Sequence, residues 1–139
     1  MAAHLAVMVE PYLARVLAGE KTIESRFARV RAAPYGCVTP GDTIWLKRSG
    51  GPIVGIALAA DVRQYSYLTP ERVDALLERY GAALRLDGDF ATRVRSCRYA
   101  TLIWLVEVRA FDMPIRYRRR DRRGWVTLVQ GSQPGTSDG

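Results

Sequence analysis

The sequence predicts an α+β fold, a small and partly closed β-barrel of about five to six strands with two main helices at its openings. Three observations predict it. Short apolar runs recur along the chain, punctuated by turns containing Gly, Pro and Asp. Two segments have helical spacing together with start and stop signals. A long apolar run around Trp104 reads as a central strand.

The elements follow in order. Residues 4–9 form a short apolar strand. Pro11 suits the first turn of a helix, and Glu10 suits its positive end. Leu13, Val16 and Leu17 follow at helical spacing, and Gly19 terminates the helix. Residues 21–27 read as a second strand, whose period of two groups Thr22, Glu24 and Arg26 on one face and Ile23, Ser25 and Phe27 on the other. Lys21 starts on the apolar side, at a strand end from which it can swing toward the polar cluster. A loop over residues 29–40 leads into the turn signal Pro40-Gly41-Asp42. Residues 43–47 form a strand with Trp45 and Lys47 on one face. The tight connection Ser49-Gly50-Gly51-Pro52 joins it to a strand over residues 53–62, in which Gly55 marks a bulge or a close approach. Thr69-Pro70-Glu71 opens a second helix that buries Val73, Leu76, Leu77 and Tyr80, with Gly81 as its end or a break. Asp87-Gly88-Asp89 is a turn. The strongest strand spans residues 99–111, and a last strand spans 125–129.

At 139 residues and 48% hydrophobic content, the chain has a globular composition and the length of one domain. That domain is expected over residues 1–130, followed by a disordered tail over 131–139 that is polar and rich in Gly and Ser. The net charge of +7 favours a polyanionic partner, nucleic acid before a membrane surface. Cys37, Cys97 and the lone His4 lack metal-site spacing, so no metal and no cofactor are expected. No apolar stretch approaches the roughly 20 residues of a membrane span, and no signal peptide is evident. A cytoplasmic protein is the expectation, with no membrane partner.

Lysine is scarce. Of 21 basic residues only Lys21 and Lys47 are lysines. A lysine retained among arginines points to a task for a compact ammonium whose pKa falls on burial. Lys21 is therefore a candidate phosphate contact or base. Glu24 can accept from the exocyclic amine of a nucleobase or carry a proton, and Arg26 can orient it. Lys47 and Arg48 flank glycines that let a phosphate approach the backbone. Arg116, Arg118, Arg119, Arg120, Arg122 and Arg123 crowd one segment with Tyr117, a pattern suited to phosphates and a stacked base. A solvated basic loop before the last strand would carry the same residues. If about four phosphates are neutralised there, binding falls steeply with salt. Trp104, Trp125, Tyr12 and Tyr80 read as core, and Trp45 as a candidate cleft wall.

Gly19, Lys21, Glu24 and Arg26 match the pattern Gly-x-Lys-x-x-Glu-x-Arg, and Pro40-Gly41-Asp42 follows, then Ile44-Trp45-Leu46-Lys47. In these motifs and in element order, most of residues 4–129 resembles the ASCH domain of the PUA-like superfamily. The resemblance implies a PUA-like β-barrel with a cleft beside the signature strand that binds nucleic acid, RNA favoured over DNA. Some relatives look like amidohydrolases of N-acylated cytidines, using a lysine, a threonine and a glutamate, and ribonuclease activity has been ascribed to others. Lys21 fits the lysine, but Glu24 stands at the threonine position and Thr22 is offset by two residues. Three readings stand at this stage. The first is a nucleic-acid-binding domain using the basic residues named above. The second is a nucleoside hydrolase or metal-independent ribonuclease with Lys21 and Glu24 as catalytic pair. The third is an interaction module for an acidic protein.

Overall fold

The computed structural model describes residues 1–118 and 122–128. The expected tail over 131–139 lies outside the described residues, as do Arg119 and Arg120. The elements run β1 (Ala3–Met8), α1 (Tyr12–Leu17), β2 (Ile23–Ala28), β3 (Thr43–Arg48), β4 (Ile53–Tyr65), α2 (Pro70–Leu84), α3 (Gly88–Val94), β5 (Tyr99–Ile115) and β6 (Trp125–Thr127). The six strands form one sheet in the order β2-β5-β4-β3-β1-β6, curled into a half-barrel. All neighbours are antiparallel except β1 and β3, which run parallel.

The sheet separates two apolar clusters. One is built from Ala6, Met8, Ile44, Leu46, Ile103, Leu105 and Trp125, to which α1 adds Leu13 and Val16. The other lies under α2 and α3, where Val73, Leu76, Leu84 and Val94 meet Ile23, Ala100 and Leu102. Ile23 and Phe27 of β2 both pack into this second cluster, on one face of the strand, because strand side chains alternate. Strand curvature comes from β4 and β5, whose pairing shifts register three times. Gly55 sits in this region. A Cβ there would meet the Arg109 carbonyl oxygen at 2.8 Å, the close approach expected from the sequence.

Several features differ from the sequence reading, among them the end of β4 at Tyr65 rather than residue 62 and the end of β6 at Thr127. Gly81 does not end α2, which continues to Leu84 and stops where Arg85 adopts a left-handed conformation (φ 49°). The Asp87-Gly88-Asp89 turn opens a third helix, α3, with Asp87 as N-cap residue. β5 extends to Ile115, past the end of its apolar run, because β4 supplies ladder partners that far. As expected, Thr69 caps α2, its side-chain oxygen accepting from the Arg72 N–H at 3.2 Å.

The Pro40-Gly41-Asp42 turn is a structural anchor. Asp42 is buried and accepts from Ala2 N–H, Thr39 N–H, the Thr39 hydroxyl and His4 Nε2–H, the last at 2.8 Å. Burial pushes the Asp42 carboxyl up, but the hydrogen bonds from Thr39, His4 and Ala2 outweigh it and hold the group below its ordinary range. His4 accepts at Nδ1 from the Trp125 indole N–H at 3.2 Å, so one imidazole joins the turn to β6.

Candidate nucleic-acid interface

β2 and β6 are the two edges of the sheet, and the space between β2 and the end of β1 is its opening. Arg26 clasps this opening. Its guanidinium donates to the Val7 carbonyl at 3.0 Å and to the Gly124 carbonyl at 3.2 Å, and lies 5.3 Å over the Trp125 ring. It also pairs with Glu24 at 2.8 Å. The signature arginine therefore ties edge strand β2 to β1 and to the approach to β6.

Glu24 is nine-tenths buried and tightly held. One oxygen accepts from the Ser25 N–H at 3.1 Å, the other from Arg26 Nε at 3.0 Å, and Lys21 Nζ stands 3.5 Å away. Lys21 precedes β2 rather than starting it, and its ammonium donates to the Leu84 carbonyl at 2.6 Å. Burial is the main cause that pushes the Lys21 pKa down, partly offset by Glu24 and reinforced by Arg26 and Arg15. The result is a row Lys21, Glu24, Arg26 in which the carboxylate is gripped from both ends.

A cleft of about 310 Å³ opens beside this row, where β2, the end of β1, α1 and α3 converge. Glu24, Ser25, Arg26 and Phe27 form one side, and Tyr12, Phe90 and Arg93 form the other. Phe90 stands edge-on to both Tyr12 and Phe27, with centroids 6.0 and 6.3 Å away. Ser25 Oγ is buried without a hydrogen-bond partner, the only such side-chain atom among the described residues. An orphaned buried hydroxyl costs stability, and a ligand group can relieve it.

The predicted site residues divide into groups. Glu24 and Arg26 line the cleft, while Lys21 lies behind its wall, 1% exposed. Lys47 and Arg116 share a different cavity of about 540 Å³ with Gly50, Gly51 and Tyr117. Arg48 is paired with Glu10, whose other oxygen accepts the Ala14 N–H of α1. Arg118, Arg122 and Arg123 are exposed, between β5 and β6. Trp45 packs against Phe111 rather than walling the cleft. Sequence reasoning missed Tyr12, Ser25, Phe27, Phe90 and Arg93 as cleft residues. Tyr12 and Phe27 carried a signal, an aromatic ring on each of the two elements that flank the signature.

Among the described residues, no group of three or more His, Cys, Asp or Glu could hold a metal ion, and no helix is long and apolar enough to cross a membrane.

No family model matches the sequence, and no curated protein matches it. Solved structures do. The crystal structure of ASCH from Zymomonas mobilis superimposes with a TM-score of 0.70 at 17% identity, covering 92% of this chain and 88% of that one. A single-substitution mutant of the same Zymomonas mobilis protein gives 0.71 at 17% identity, covering 92% and 91%. The N-terminal domain of Staphylothermus marinus McrB gives 0.52 at 15% identity, covering 83% and 76%. The chain therefore has the ASCH-domain fold that its Gly-x-Lys-x-x-Glu-x-Arg motif implied.

Proposed function

We propose that this ASCH-type half-barrel binds single-stranded nucleic acid, RNA before DNA, by taking one base into the cleft beside β2. One observation carries the reading. A single cavity combines aromatic rings from three elements, a fixed carboxylate and an unpartnered buried hydroxyl. Rings suit the faces of a base, and the carboxylate suits its edge. A carboxylate offers about four acceptor positions. Ser25 N–H and two nitrogens of Arg26 use three, and Lys21 Nζ stands 3.5 Å from the oxygen that Ser25 engages, so an exocyclic amine of cytosine, adenine or guanine would share the remaining position with Lys21. The net charge of +7 supports a polyanionic partner.

The test is titration of labelled single-stranded RNA and DNA across a salt series, with Phe90→Ala as the variant. Removing one stacking ring is expected to weaken binding by about 1–3 kcal/mol. Binding that is absent at low salt, or indifferent to Phe90→Ala in both polymers, would reject the reading.

A second reading, hydrolysis of a modified nucleoside, is favoured by one observation, the lowered pKa of Lys21 beside Glu24. The burial of Lys21 behind the cleft wall and its bond to the Leu84 carbonyl favour recognition over turnover. Release of acetate from N-acetylcytidine by the wild-type protein, lost in Glu24→Gln, would reverse that preference.

A further inference from the structure

We propose that the second cavity, walled by Lys47, Gly50, Gly51, Arg116 and Tyr117, is a phosphate subsite continuous with the cleft, so that the ligand is an oligonucleotide of at least two nucleotides rather than a nucleoside. The proposal rests on the cleft being the base site.

The cavity joins distant segments through the sheet itself. Lys47 of β3 pairs with Ile53 of β4, and Ile53 pairs with Ile115 of β5, which places residue 116 across two ladders from residue 47. Two cationic side chains, Lys47 and Arg116, line this cavity. Lys47 is 4% exposed and donates to the Arg48 carbonyl at 3.1 Å, so its charge is held at a fixed place. Gly50, with φ +72° and nothing within 4 Å of where a Cβ would stand, leaves bare backbone that phosphate oxygens can approach closely, whereas Gly51 is covered by the Arg48 side chain. Tyr117 adds a ring at the rim for a neighbouring base.

The two cavities lie one strand apart. Val7 lines the cleft, and its ladder partner in β3 is Lys47. Partners in adjacent strands point to the same face, about 4.8 Å apart. The Arg26 clasp ends on the Val7 carbonyl, at the junction. The two cavities therefore adjoin through one pair of ladder partners. A base against Phe90 thus carries its backbone toward Lys47 and Arg116.

The experiment titrates a nucleoside, its monophosphates and a dinucleotide against the wild-type chain, Arg116→Ala and Phe90→Ala. The dinucleotide is expected to bind at least about tenfold tighter than the nucleoside at low salt, from charge-assisted contacts to one phosphate. Arg116→Ala should collapse that ratio toward one, and Phe90→Ala should weaken both ligands together. Equal affinities for nucleoside and dinucleotide in the wild-type chain, or a ratio unchanged by Arg116→Ala, would overturn the subsite while leaving the base cleft standing. Dinucleotide binding that Arg116→Ala weakens but Phe90→Ala does not would overturn the base cleft, and the proposal with it.

Discussion

Ser25 and Lys21 separate ligand binding from stability at single side chains. Ser25 Oγ is buried and unpartnered, so its truncation removes a cost instead of a contact. Ser25→Ala is expected to leave stability unchanged or raise it by up to about 1 kcal/mol. It should nonetheless weaken oligonucleotide binding severalfold. Urea denaturation beside a binding titration checks both, and a destabilised variant would show that the hydroxyl has a structural partner. Lys21 predicts the opposite pattern. Its loss leaves the Leu84 carbonyl unpaired and removes one of two cations gripping Glu24. Breaking a buried pair costs about 3–5 kcal/mol, and the remaining Arg26 contact puts Lys21→Ala near the lower end, about 3 kcal/mol by urea denaturation. The scarcity of lysine made this residue conspicuous in the sequence. Its burial was not legible there, because a strand read from residue 21 put the ammonium at the rim. The chain instead bonds Lys21 N–H to the Arg15 carbonyl and Thr22 N–H to the Ala83 carbonyl before β2 begins, which carries the side chain under α2.

At the scale of elements, periodicity revealed what long-range partners did not have to decide. The helix after Thr69 followed from its cap and apolar spacing, and the strand around Trp104 from its apolar run. α3 was hidden because seven residues give too few turns for a pattern and begin with a turn signal. Its cost to the site reading was large, since α3 delivers Phe90 and Arg93 to the cleft. The far end of β5 was hidden because its pairing with β4, rather than its own polarity, makes it a strand. The Asp42 turn yields an element-level prediction. Its carboxyl lies below the ordinary 3.8 in the folded chain, so the unfolded chain binds the proton more readily. The stability it contributes is present above pH about 4 and is lost as pH falls from there through the folded value. Asp42→Asn should lower the melting temperature at pH 7 and flatten its fall below pH 4. A mutant that melts with the wild-type acid dependence would remove Asp42 as the cause.

For the whole molecule, the question is whether its +7 charge acts as a diffuse field or through fixed contacts. Much of the arginine content is committed within the fold. Arg15 pairs with Asp87, Arg48 with Glu10, Arg63 with Asp61, Arg85 with Glu20 and Arg95 with Asp74. Surface pairs of this kind add little stability, and the net +7 already counts their carboxylates, so they localise charge without reducing it. Salt dependence distinguishes the alternatives, because the slope of log K against log salt is about −0.7 for each phosphate neutralised on a single strand. Lys47 and Arg116 sharing the one phosphate of their subsite would give a slope of about −0.7. If Arg118, Arg122 and Arg123 also grip the backbone, about four or more phosphates are engaged and the slope steepens to about −3. The shallow slope should accompany strong dependence on the base, so that an oligonucleotide with an abasic residue at the cleft position binds distinctly less well. A steep slope with no penalty for the abasic strand would mean that the basic arm holds the backbone and the cleft beside Glu24 reads nothing. The slope measured on the wild-type chain, compared with that of Arg116→Ala, decides between them. Loss of Arg116 should reduce the magnitude by about 0.7 if its guanidinium meets one phosphate.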